Sequence, residues 1–168
     1  MKKKLIYLGI ILLAILIQTS FLPIFMGSSV AGDAVLMLIL TVAVLDGFAS
    51  ALSWAILTGI LCDFASYVKV GQHVLIFLLV VYMVSFFSRR LSVEVKGTGI
   101  LLFLLFIIIA TLISNVLLTA FLILGDGSIK LQPQFLSILK LILFQTGGNA
   151  VLFFLWYNLI KKIKKALL

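Results

Sequence analysis

From Ala34 to Cys62 the chain runs for 29 residues in which Asp46, followed at once by Gly47, is the one charged residue. A helix needs about 20 apolar residues to cross a hydrocarbon core of roughly 30 Å, so this run is too long for one comfortable span and short for two. Whether it breaks at Asp46-Gly47, a turn pair, decides the layout of everything around it.

With 64% hydrophobic and 11% charged residues among 168, the chain lies outside the soluble globular range and reads as an integral membrane protein of one polytopic domain. Four further apolar segments stand clear: residues 5–22, stopped by Pro23; 73–88; 98–124; and 135–160, stopped by a lysine cluster. The first lacks the small-residue cleavage site of a signal peptide and is expected to stay as a membrane helix. If the long run splits into residues 33–45 and 47–66, six helices result.

Charge chooses between the alternatives. Ten of the thirteen basic residues fall in three clusters, Lys2 to Lys4, Arg89, Arg90 and Lys96, and Lys161 to Lys165. Such clusters mark cytoplasmic ends and contact anionic lipid headgroups. Both termini then share one side, which requires an even number of spans, so six is expected and one long tilted helix is not. Lys69 and Lys130 fall in outer loops, and Lys140 sits near the outer end of the sixth helix, where its side chain can snorkel. The net charge of +8 does not point to nucleic acid, because no basic stretch is interleaved with exposed aromatic residues.

Small residues recur every fourth position on the third segment: Gly47, Ala51, Ala55 and Gly59, then Asp63. That ridge suits close helix crossing inside the bundle, and it suits a dimer interface equally. Two polar stripes share the spacing: Thr111, Asn115 and Thr119 on the fifth segment, Gln145 and Asn149 on the sixth. Asn115 and Gln145 fall at similar depths and are expected to hydrogen-bond across the bundle, as structural glue or as the wall of a polar cavity.

Asp63 lies sixteen residues beyond Gly47, about 24 Å along a helix, which puts it at the outer interface. It is also near a helix C-terminus, where the macrodipole disfavours negative charge, so it needs a partner. Lys69, His73 or the amides opening the next helix are within reach, and Asp33 enters the second helix on the same face. An Asp beside a His also suits proton relay, but no chain of ionisable groups leads inward. His73 has no second histidine or thiol to complete a metal site. Cys62 is the single cysteine, which excludes an intramolecular disulfide and fits a small buried side chain. No nucleophile elbow or nucleotide-binding loop is present, and neither catalysis, a metal nor a cofactor is expected.

The order "LIQTSFLP" (16–23), "GDAVLMLILTVAVLDG" (32–47), "GILCDFAS" (59–66) and "HVLIFLLVVYMVSFFSRR" (73–90) resembles the rod shape-determining membrane protein MreD family. Gln18, Asp33, Gly59 and Asp63 are the matching positions. The likeness covers the first ninety residues in pattern; beyond them only length and span layout agree. Two departures stand out: Gly32 where relatives often carry proline, and "YVKVGQH" in place of a Gly-Pro-Leu-Gly-like turn.

The resemblance implies a non-enzymatic scaffold in the bacterial cytoplasmic membrane. It implies binding to the bitopic protein MreC, and work with the actin-like MreB, a RodA-type glycan polymerase and a class B penicillin-binding protein in side-wall peptidoglycan synthesis. Asp33, Asp63, Lys69 and His73 are then candidates for a partner interface at the outer rim. Gln18 joins Thr111, Asn115, Thr119, Gln145 and Asn149 as intramembrane polar residues. The family is also distantly similar in fold to the substrate-binding subunits of energy-coupling-factor vitamin transporters, which is the alternative function. Against that alternative, helix one offers Gly9 and Ala14 at the wrong spacing for the small-residue docking ridge of such subunits.

Overall fold

The computed structural model describes residues 2–26, 32–66, 70–90, 98–126 and 135–167, almost all of them helical. In chain order these are α1 (Lys2–Leu16, continued by a π-helical stretch Ile17–Phe21 into Leu22–Met26), α2 (Ala34–Asp46), α3 (Phe48–Ala65), α4 (Gln72–Arg90), α5 (Thr98–Asp126) and α6 (Phe135–Leu167). Among the described residues, three stretches, Lys4–Ile24, Phe48–Ala65 and Leu102–Phe121, are long and apolar enough to cross a membrane; Ala34–Asp46 and Gln72–Phe86 are shorter apolar helices. The chain is thus a helical, membrane-embedded protein.

α2 is the centre of the fold. Its residues Ala34 to Leu40 are at most 1% exposed, on every face, as expected of a helix that is apolar all round. It packs against α1, α3, α4 and α6, while α5 closes the bundle against α4 and α6. One core cluster draws on all six helices, from Ile11 of α1 through Ala55, Phe77 and Ile107 to Phe153 of α6.

The long apolar run does break at Asp46-Gly47. Gly47 has φ of 79°, a left-handed conformation that costs a side-chain-bearing residue roughly 1–2 kcal/mol. Its carbonyl accepts the Ala51 N–H as α3 begins.

Three expectations are corrected. α1 does not stop at Pro23 but runs on to Met26. Proline has no N–H to give and its ring collides with the carbonyl four residues back in a regular helix; the preceding π stretch, with the Leu22 N–H reaching Ile17 O, widens the turn where that collision would fall. α6 does not stop at Ile160 but continues through the lysine cluster, because lysine is a good helix former and favourable at a C-terminus. Gly47 is not part of the packing ridge: it is exposed, and a Cβ built there meets nothing within 4 Å. The ridge proper is Ala51, Ala55 and Gly59, all buried.

Gly59 is the tightest point of that ridge. A Cβ on it would lie 2.6 Å from Val74 Cα and 2.7 Å from Val74 N. Backbone cannot move aside as a flexible side chain can, so α3 and α4 cross here because residue 59 has no side chain.

Candidate functional site

A helix of thirteen residues is about 20 Å long, roughly 10 Å less than a hydrocarbon core. α2 therefore ends inside the bundle, and the amides of its first turn have no carbonyls within the helix to meet. Side chains of three segments meet them instead. Asp33 Oδ1 accepts from Leu36 N–H at 2.8 Å, the usual N-cap bond. Gln18 Oε1 of α1, aimed from the π-helical stretch, accepts from Val35 N–H at 2.9 Å. Asn149 Oδ1 of α6 accepts from Asp33 N–H at 2.7 Å. Below them Trp156 Nε1–H donates to Ala34 O at 3.0 Å.

Gly32 makes the Asn149 contact possible, since a Cβ there would fall 2.9 Å from Asn149 Oδ1 and from Leu152 Cδ1.

Asp63 solves its own problem in the same manner. It sits in the last turn of α3, yet its carboxylate caps the start of α4: Oδ2 accepts from Gly71 N–H at 2.6 Å and Oδ1 from His73 N–H at 2.9 Å. The dipole of α4 thus offsets that of α3. Oδ1 also meets His73 Nδ1 at 2.7 Å; a carboxylate only accepts, so Nδ1 carries the proton. Asp63 is 1% exposed and His73 7%.

α5 and α6 are joined by amides and hydroxyls. Asn115 Nδ2 donates to Gln145 Oε1 at 2.8 Å, the cross-bundle bond expected from their equal depths. One turn further along, Asn149 Nδ2 donates to Thr111 Oγ1 at 2.8 Å. Thr119 takes no part: it is exposed and its hydroxyl returns to Asn115 O on its own helix.

A cavity of about 670 Å³ opens above the N-terminus of α2, lined among the described residues by Gln18, Asp33, His73, Ser114, Asn115 and Gln145 with their neighbours. The shortness of α2 makes the room, and α1, α3, α4, α5 and α6 supply the wall. Lys69, a candidate for this rim, lies outside the described residues. Among the described residues no cluster of three or more His, Cys, Asp or Glu side chains forms a metal site.

At the other end of α2 a second cluster escaped sequence reasoning. Asp46 Oδ2 accepts from Tyr7 OH of α1 at 2.5 Å, and Lys164 Nζ of α6 lies 2.6 Å from Asp46 Oδ1 and donates to Leu45 O at 2.8 Å. Lysine here satisfies an orphan carbonyl and meets the negative end of the α2 dipole. In the sequence Asp46 is half of a turn pair and Lys164 part of a basic cluster, and neither position names the other as its partner. Their pairing was foreseeable only from the rule that both fall at one membrane face.

The site therefore belongs to a helical membrane protein whose buried central helix is held at both ends by α1 and α6. No family model, curated protein or solved structure matches the chain.

Proposed function

We propose that the chain is a non-enzymatic membrane scaffold of the MreD type, spanning the bacterial cytoplasmic membrane six times with both termini in the cytoplasm. In this role it binds an MreC-like bitopic protein and helps direct side-wall peptidoglycan synthesis. The observation that carries the reading is where the four resemblance positions meet. Gln18 and Asp33 secure the start of α2, Gly59 sets the α3–α4 crossing, and Asp63 caps α4. Residues spread over the first half of the sequence thus build one end of the bundle, which is the role a family signature of short polar and small positions needs.

The topology has separate support. The start of α1, the end of α4 and the end of α6 all lie at the Asp46 end, judging by the Tyr7 and Lys164 contacts and by α4 leaving the Asp63 end. Those are the three ends that carry the basic clusters, in keeping with cytoplasmic placement.

In this reading Asp33 and Asp63 shape the outer rim, because their oxygens are engaged within the chain. The partner meets the surface they hold in place. Mild-detergent affinity purification of the tagged protein from its native membrane, followed by mass spectrometry, tests the proposal. An MreC-like protein recovered with cell-wall synthases is the expected result. Recovery of paired ATPases with a coupling subunit would overturn it in favour of a vitamin-transport subunit, the reading that the polar cavity favours.

A further inference from the structure

We infer that the cleft between the starts of α1 and α3 is a binding site for an anionic phospholipid, its phosphate held by Lys4, Ser50 and Ser53 and one acyl chain laid along α3. The inference needs only that these helices cross a membrane, and it is independent of which assembly the protein joins.

The two candidate spans begin at Lys4 and at Phe48, and Tyr7 of α1 stacks on Trp54 of α3 with ring centroids 5.7 Å apart. The starts of both helices therefore lie side by side at one membrane surface. α1 packs more closely on α2 than on α3, which leaves room between the two. A cavity of about 370 Å³ opens there, lined among the described residues by Lys4, Ser50, Ser53, Trp54 and Leu57. Both serines fall within the first six residues of α3, no more than about 9 Å from its start, which keeps them at the polar edge of the bilayer and away from its centre.

Charge and hydrogen bonding at this edge suit a phosphate. Lys4 puts a cation on the lining, and Lys2 and Lys3 precede it within one turn of the same helix. Asp46, a carboxylate at this end of the bundle, is already met by Lys164 Nζ at 2.6 Å and by the Tyr7 hydroxyl. Thr41, Thr111, Thr119 and Thr146 return their hydroxyls to the carbonyl four residues back at 2.7–2.8 Å, whereas Ser53 reaches Ala49 O only at 3.4 Å, beyond the usual range for O–H···O. Little is lost when that hydroxyl turns to a phosphate oxygen, and a bond to an ionised acceptor is the stronger one.

The rest of the lining selects a lipid over a soluble anion. Trp54, a residue type that gathers where headgroups meet hydrocarbon, and Leu57 close the deeper side of the cavity. Beyond them Ile60 and Phe64 continue the same face of α3 at helical spacing, with Leu57 39%, Ile60 36% and Phe64 65% exposed. A soluble phosphate would use the polar end alone. A phospholipid uses both, with its headgroup between Lys4 and the serines and its chain on the apolar stripe.

The test titrates the full chain in mild-detergent micelles with phosphatidylglycerol and with phosphatidylcholine of the same acyl chains, read by native mass spectrometry and melting temperature. Phosphatidylglycerol is expected to be retained about five- to tenfold better and to raise the melting temperature; glycerol 3-phosphate and inorganic phosphate should leave it unchanged. Lys4→Gln should remove the preference. Lys165→Gln, an exposed cation of the C-terminal cluster and not on the lining, should keep it, which separates a site from diffuse attraction to basic residues. Because Lys4 also marks topology, Ser53→Phe, which fills the cleft and keeps every charge, provides the second variant and should lower retention of phosphatidylglycerol to that of phosphatidylcholine. Equal retention of the two lipids, equal losses in Lys4→Gln and Lys165→Gln, or full retention by Ser53→Phe would overturn the assignment. Stabilisation by glycerol 3-phosphate to the same extent as by the phospholipid would overturn it in favour of a soluble anion.

Discussion

Asn149 Oδ1 lies 2.7 Å from the backbone nitrogen of Asp33, 116 positions earlier in the chain. The same side chain donates through Nδ2 to Thr111 Oγ1 at 2.8 Å, so one fully buried amide on α6 ties the start of α2 to the middle of α5. A residue that joins three helices is a sensitive place to probe the fold.

Asn149→Leu is expected to destabilise the protein by about 1–3 kcal/mol, since both an amide donor of α2 and the Thr111 hydroxyl lose a partner. Asn149→Asp keeps the acceptor and should cost less. Unfolding in mixed micelles with increasing denaturing detergent measures the order; equal losses for the two variants would show that the Asp33 bond contributes little.

Asp63→Leu removes three acceptor contacts at once, those to Gly71 N, His73 N and His73 Nδ1. Hydrogen bonds to a charged group contribute about 1.5–3 kcal/mol each, and the set will not be additive. The expected signature is local: faster hydrogen exchange at the amides of residues 71–73, with the amides of α2 little changed. Unaltered exchange at Gly71 and His73 would contradict the capping role.

Gly59→Ala is expected to cost several kcal/mol, because a methyl group would sit 2.6 Å from Val74 Cα and force α3 from α4. Gly9→Ala, exposed on α1 with nothing within 4 Å, is the control and should be neutral or slightly stabilising. Melting temperatures of the two variants in one detergent decide the matter, and similar values would refute the close crossing.

Lys164→Met and Asp46→Ala form a double-mutant cycle across the other end of α2. With the Lys164 side chain 29% exposed and that of Asp46 5%, a coupling of about 1 kcal/mol is expected, lower at high salt. Tyr7→Phe should add a further loss that vanishes when Asp46 is already alanine. An unfolding series at two salt concentrations reads both effects.

Much of the architecture was legible in the chain. Apolar runs set the helices because backbone polar groups in a hydrocarbon must bond within their own segment, and Gly47 announced the break in the long run through its place beside Asp46. The equal depth of Asn115 and Gln145 foretold their bond. The passage of α1 through Pro23 and the length of α6 were not legible, since proline and a lysine cluster are ordinary stop signals, whereas here a π-helical stretch precedes the one and a helix C-terminus welcomes the other.

The sequence by itself determined that this is a helical membrane protein, that its long apolar run breaks at Asp46-Gly47, and that Asp63 needs a partner, because periodicity and the cost of unpaired polar groups in lipid act on local stretches. Only the tertiary structure decided that α2 is central, that α1 and α6 hold it at both ends, and that a polar cavity opens above it. Those outcomes depend on which side chains meet across separations that range from 17 to 122 residues of chain. Asn149 and Trp156, Tyr7 and Lys164 are ordinary helix residues until α2 is packed between them.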